Sequence, residues 1–128
     1  MDKPGVIMQK ILIVEDEIRI ASFIEKGLRQ NGFNTAIANN GEQALQMLTT
    51  AKFDLLLLDI NISVKDGLTV MSELREHNLL IPTIIVSANH DILKKVSQSG
   101  NKAVPYISKP FKFTDLLNSV RAHLSPNN

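Results

Sequence analysis

Two hydrophobic periods alternate along the chain. KILIV, Lys10 to Val14, is a continuous apolar run, and behind it Ile20, Ile24 and Leu28, with Ala21 beside them, recur at helical spacing. Asn31-Gly32 closes that helix as Asn-Gly does at C-termini, and FNTAIA (Phe33 to Ala38) is a second strand leading to Asn40-Gly41. Asn40 can cap the next helix, whose inward row is Ala44, Leu45 and Leu48. FDLLLLD, Phe53 to Asp59, is the third strand. Asp66-Gly67 then turns the chain into a helix with Leu68, Met71 and Leu74 inward. TIIVSA (Thr83 to Ala88) is the fourth strand, preceded by Pro82, and a short, weakly patterned helix follows around Ile92 to Val96. AVPYIS (Ala103 to Ser108) is the fifth strand, marked as an edge by Pro105, and Phe113, Leu116, Leu117, Val120 and Leu124 form the stripe of a last helix. Five strand-helix repeats with strands too apolar for a one-sided sheet call for an α/β fold, a parallel sheet covered by helices on both faces.

Composition narrows the partners. The 128 residues fit one domain, and fourteen basic against thirteen acidic side chains leave a net charge of +1, with no global field to draw the chain onto nucleic acid or an anionic membrane. The absence of cysteine excludes disulfides, thiol catalysis and thiolate metal sites. No apolar run is long enough to span a bilayer, and MDKPGVIM lacks the pattern of a signal peptide, so a cytoplasmic protein is expected. Residues 1–9 read as an extension, 10–124 as the folded domain and 125–128 as a tail or the start of a linker.

The run LLLLDI raises the chemical question, because a strand buried on both faces ends in Asp59. A buried unpaired carboxylate costs several kcal/mol or neutralises itself, so a cation has to wait at that strand end. In open parallel sheets the site lies at the carboxyl ends of the strands. There the chain places Glu15-Asp16, Asp59, Ser87-Ala88 and Ser108-Lys109-Pro110. A lone acid at a strand end is usually a helix cap or a solvated turn; the convergence of four strands changes that weighing. Carboxylates so gathered need a divalent cation or a lysine, and an all-oxygen set with room for water and a phosphoryl oxygen suits Mg²⁺. Carboxylates also act as phosphoryl nucleophiles. On this reading Glu15 and Asp16 hold the metal, Asp59 ligates it and attacks phosphorus, Ser87 donates to a phosphoryl oxygen, Lys109 pairs with the anion and Ala88 leaves room.

ILIVEDE, LLLLDI with the later DG, SA and KPF, in this order on five strand-helix units, resemble the receiver domain of a bacterial two-component response regulator from Lys10 to about Leu124. The resemblance implies a doubly wound, flavodoxin-like sheet in the order 2-1-3-4-5 and Mg²⁺-dependent phosphoryl transfer from a sensor histidine kinase or phosphotransfer protein to Asp59. Such a domain is a signalling module that assists its own phosphorylation and dephosphorylation. The resemblance further implies a metal ligand from the backbone carbonyl of Asn61, a cis Lys109-Pro110 peptide, and a switch built on Ser87 and Tyr106. Asn61 and Asn89 occupy positions that tune dephosphorylation in the family. The implied partners are a downstream effector or a C-terminal output domain, with no direct binding of nucleic acid or membrane by this domain.

The chain departs from the family pattern in two places. Ser63 replaces a common proline, which is expected to loosen the loop carrying Asn61, and SQSGNKAVPY lacks the acidic run after its glycine. That glycine lies farther from Tyr106 than is typical while the spacing from Ser87 to Lys109 is normal, so a shortened fourth helix and a longer loop before strand five are expected. A phosphorylation-dependent second copy is a candidate partner, although Asn101, Lys102 and Ala103 do not supply the acidic residues with which the DNA-binding class builds its dimer. Two other classes of function fit less well. A small-molecule phosphatase needs a second acid where Asn61 stands and a cap domain, and a degenerate binding module would have lost an acid, the acceptor or the lysine. His77, His90 and His123 show no ligand spacing, Asp91 reads as a helix cap, Met47 and Met71 as core, and Lys94, Lys95 and Lys102 as a solvated face.

Overall fold

Strands such as Leu55 to Leu58 are satisfied only where both of their faces are covered, and the architecture covers them. The structure is a computed structural model, which describes residues 8–62, 67–89, 91 and 104–124. In chain order these form β1 (Lys10–Val14), α1 (Ile18–Gln30), β2 (Asn34–Ala38), α2 (Gly41–Thr50), β3 (Leu55–Asp59), α3 (Gly67–Glu76), β4 (Thr83–Ser87), β5 (Tyr106–Ser108) and α4 (Phe113–His123). The five strands pair in parallel in the order β2-β1-β3-β4-β5. Successive strand residues point to opposite faces and divide the core in two. Leu12, Val14, Leu56, Leu58 and Ile85 meet Ala44 and Leu48 of α2 and Val70 and Leu74 of α3. Ile11, Ile13, Leu55, Leu57 and Ile84 meet Ile24 and Leu28 of α1 and Leu116 and Val120 of α4. This is the doubly wound sheet with helices on both faces, and β5 lies at its edge as Pro105 required.

Element boundaries follow local chemistry. At the end of α1 the Gly32 N–H donates to Arg29 O and the Phe33 N–H to Leu28 O, with Gly32 at φ +90°. Helix closure thus consumes the Phe33 amide, and β2 starts one residue later than the apolar pattern suggested. Asn78, at φ 57°, ends α3 in the same way, its N–H donating to Arg75 O and that of Leu79 to Leu74 O. Asn40 caps α2 as expected, its Oδ1 accepting from the Gln43 N–H at 2.8 Å. Phe53 stays outside β3 and lies under the Lys10 ammonium, 4.8 Å from the ring centroid.

One inward row is corrected. Leu68 is exposed at 48 %, and the buried row of α3 is Gly67, Val70 and Leu74, with Met71 half-buried. A Cβ on Gly67 would stand 2.7 Å from Ile60 Cα, so the bare glycine backbone comes against β3's end and turns Leu68 outward. His77 and His123 are exposed, as the lack of ligand spacing implied, and Met47 packs on the core. The fourth helix around Ile92 to Val96, which Asp91 would cap, and the loop through Asn101 to Ala103 lie outside the described residues. So do Ser63, Asp66, His90, Lys94, Lys95 and Lys102. Among the described residues no helix is long and apolar enough to cross a membrane.

Candidate functional site

Strand register assembles the site. Val14 pairs with Leu58, Asp59 with Val86, and Ser87 with Ser108, so the residues just beyond these pairs climb together along one sheet edge. Glu15 follows Val14 and remains tied to the sheet, its N–H donating to Ala38 O at 3.0 Å. Lys109 follows Ser108, its N–H donating to Ser87 O at 2.9 Å. Because β1 and β3 are central and rigid, Glu15 and Asp59 are carried in buried, at 2 % and 5 % exposure, while Asp16 one residue on is exposed.

Lys109 is the cation the Asp59 strand required. Its Nζ donates to Asp59 Oδ2 at 3.0 Å and to Glu15 Oε1 at 2.7 Å. The second oxygens are also occupied: Asp59 Oδ1 accepts from the Asn61 N–H at 2.9 Å and Glu15 Oε2 from the Glu17 N–H at 3.2 Å. Backbone amides and one ammonium thereby fix the direction of both carboxylates. Burial pushes the Glu15 carboxyl up to about 7 against the lowering hydrogen bond from Lys109, and the Asp59 charge adds to the rise. Burial works against the Lys109 ammonium, but its hydrogen bonds to Glu15 and Asp59 prevail and hold it above its ordinary value.

Glu15, Asp16 and Asp59 each offer a carboxylate oxygen, and these oxygens lie within 4.8 Å of one another. Three hard, anionic oxygens drawn from two strand ends, one of them open to solvent, are the donor set of a small divalent cation that keeps part of its water. The residues present therefore fit Mg²⁺. Ser87 is fully buried beside them; its Oγ accepts from the Asn89 N–H at 3.0 Å and lies 3.5 Å from Asn61 Nδ2. The Lys109-Pro110 peptide is cis, as the resemblance implied.

The structure thus brings Glu15, Asp16, Asp59, Asn61, Ser87 and Lys109 to one sheet edge. Tyr106 stands apart, paired with Ile85 two residues before Ser108, with 49 % of its surface exposed. Sequence reasoning missed two neighbours of the site. Gly67 abuts the Asp59–Ile60 backbone, its Cβ position 3.2 Å from Asp59 O, and its N–H donates to Ile60 O at 3.1 Å. Phe23 and Phe111 join Arg19, Ile20, Ala88, Lys109 and Pro110 around an apolar cavity of about 370 Å³ on the outer side of Lys109. The glycine of the DG pair was a signal for the first; the second joins residues too distant in sequence to be linked by any local pattern.

An open parallel sheet with a buried carboxylate, an acidic pair and a lysine at its carboxyl edge defines a doubly wound α/β domain with an acidic, cation-accepting site. The family model described as response regulator receiver domain matches residues 11–121, and the chain belongs to that family. It is a signalling receiver domain of two-component response regulators. The chain is 35 % identical over 117 residues to the transcriptional regulatory protein PcoR of Escherichia coli, covering 91 % of this chain and 52 % of PcoR. It is 38 % identical over 117 residues to the response regulator ArlR of Staphylococcus saprophyticus, covering 91 % and 53 %. The chain therefore spans about half the length of these relatives. Among solved structures, the response regulator TrrA of Thermotoga maritima in complex with Mg²⁺-BeF matches with a TM-score of 0.81 at 31 % identity, covering 91 % of this chain and all (100 %) of that one. The receiver domain of a Pseudomonas aeruginosa sensor histidine kinase, with a magnesium ion in its active-site cleft, matches with a TM-score of 0.80 at 29 % identity, covering 91 % and 98 %.

Proposed function

We propose that Asp59 accepts a phosphoryl group from the phosphohistidine of a sensor histidine kinase or phosphotransfer protein. The P–N bond to the donor breaks as a P–O bond to the Asp59 carboxylate forms, and the imidazole leaves with its electron pair. The observation that carries the proposal is the placement of Asp59: buried, aimed by the Asn61 amide and Lys109, and grouped with Glu15 and Asp16. Glu15, Asp16, Asp59 and the backbone carbonyl of Asn61 would hold Mg²⁺. When bound, the ion neutralises the acidic cluster and offsets charge on the phosphoryl oxygens. The magnesium-containing relatives from Thermotoga and Pseudomonas support this assignment.

Lys109 exchanges part of its pairing with Asp59 for the incoming phosphoryl oxygens. Ser87, whose Oγ accepts from the Asn89 amide and lies at long range from Asn61 Nδ2, turns its hydroxyl toward them. Tyr106, half in solvent, is the residue on β5 free to follow, which makes Ser87 and Tyr106 the switch and the face of β5 and α4 the readout. The same groups aid attack of water on the modified Asp59, so the domain assists its own dephosphorylation. A downstream effector or an output domain in a longer chain reads the state, a phosphorylation-dependent dimer being one form of readout, and the site works in the cytoplasm.

Intact mass after incubation with acetyl phosphate, with Mg²⁺ or with chelator, tests this on the native protein and on Asp59→Asn. One added phosphoryl group, dependent on Mg²⁺ and absent from Asp59→Asn, is the expected result. No addition to folded, Mg²⁺-loaded native protein overturns it.

A further inference from the structure

Gly27 stands in the interior of α1, where glycine weakens a helix relative to alanine, so its presence asks for a reason in its surroundings. A Cβ at this position would collide with Cε1 and Cζ of Phe113 and come within 2.9 Å of its Cδ1. The ring of Phe113 therefore rests on bare α1 backbone. Phe23, one turn earlier, meets the same ring edge-on, with centroids 5.9 Å apart and planes at 85°. Phe113 is the first residue of α4, and Lys112 before it provides no side-chain cap, so the ring's seat on α1 takes the part of a cap in holding the helix start.

That seat lies behind the functional lysine. Three residues separate Lys109 from Phe113, and Phe111 among them packs into the same cluster. The other end of α1 begins directly after Glu15, Asp16 and Glu17, with the Glu17 amide bonded to Glu15. One rigid helix thus joins the acidic loop at its start to the base of the Lys109 segment in its third turn.

We infer that Gly27 and Phe113 form a positioning pair that sets the distance of the Lys109 ammonium from Glu15 and Asp59. Gly27 touches no reacting atom and acts through Phe113. A methyl group at position 27 displaces the ring, moves the start of α4 and withdraws Lys109 from the carboxylates. Withdrawal of this cation has opposite effects on two events: a divalent cation binds more tightly to the less neutralised cluster, while phosphoryl acceptance slows. General loosening of the fold would weaken both.

This inference rests on the reading of Asp59 as acceptor only in its phosphoryl-transfer arm. Native protein, Gly27→Ala, Phe113→Leu and the double variant are compared in Mg²⁺ affinity by calorimetry, acceptance rate from acetyl phosphate by intact mass, and the ¹⁵N resonance of Lys109 Nζ. In Gly27→Ala the Mg²⁺ affinity is expected to rise by roughly threefold, because a longer ammonium–carboxylate separation leaves the buried cluster less neutralised. The acceptance rate is expected to fall by about tenfold, as a small misplacement of a charge-stabilising group requires. The smaller Leu in the double variant returns both toward native values. Unchanged affinity and rate, or a parallel fall in both, overturns the inference. If native protein accepts no phosphoryl group, the Asp59 reading falls, and the pair is still judged by Mg²⁺ affinity and by the Lys109 resonance, which must move in Gly27→Ala. Should Gly27→Ala not fold, Phe113→Leu alone loosens the seat without a clash; smaller changes of the same signs sustain the inference, and none overturns it.

Discussion

Lys109 and Glu15 lie 94 residues apart along the chain and 2.7 Å apart at Nζ and Oε1. The same ammonium reaches Asp59, so one cation neutralises two buried carboxylates. Removing a partner from such a group leaves charge buried and uncompensated. Lys109→Met is expected to lower stability by about 3 kcal/mol in chelator, with Mg²⁺ restoring part of the loss. Urea unfolding with and without Mg²⁺ measures this; equal losses in both conditions would separate Lys109 from the metal cluster.

The raised Glu15 carboxyl gives the metal-free protein a defined pH dependence. Burial raises Glu15 from its ordinary 4.5 to about 7, so between these values the folded state holds a proton that the unfolded chain has released. The contribution is fully present below about 4.5 and is lost as the pH rises through about 7. Glu15→Gln mimics the protonated form and lacks this decline. The difference in urea midpoint between native and Glu15→Gln protein, followed in chelator from acid to mildly alkaline buffer, is expected to shift in favour of the variant across the window.

Gly67→Ala tests how closely α3 is set against the strand that carries Asp59. Its Cβ would stand 2.7 Å from Ile60 Cα and 3.2 Å from Asp59 O, and backbone atoms at the end of a central strand have little room to yield. The variant is expected to lose roughly 1–3 kcal/mol, the range of overpacked sites, despite alanine's better helix propensity. Thermal unfolding decides it, and a stabilised variant would show that α3 can withdraw freely from β3.

Leu57, 1 % exposed on the central strand β3, packs with Ile13, Ile84 and Leu116 between α1 and α4. Leu57→Ala removes side-chain volume where both helices and three strands meet. A loss of about 2–5 kcal/mol is expected from denaturant unfolding, and a loss near zero would mean that the layers collapse onto the void.

The sheet, its alternating core and the burial of Asp59 at a strand end were legible because each is written locally. Apolar runs ending in acids read as buried strands with chemistry at their tips, and Asn31-Gly32 and Asn40 behaved as their backbone preferences dictate. What escaped was set by pairs distant in sequence. Leu68 fits a helical row as well as Val70 does; only the contact of Gly67 with Ile60 decides which row turns inward. Gly27 looks like a tolerated weak point until Phe113 is found above it. That Lys109 was the cation followed from its strand end, but its shared bond to Glu15 depends on the stagger of four strands, which no periodicity records.

The parallel stagger also governs the order in which the protein can come into being. Glu15 and Asp59 emerge from a ribosome long before Lys109, and the contacts that neutralise them are among the most non-local in the fold. Until the last strand joins the edge, a nascent chain carries its acidic cluster without its own counter-charge. The Lys109 pairing therefore depends on β5 having joined the sheet edge.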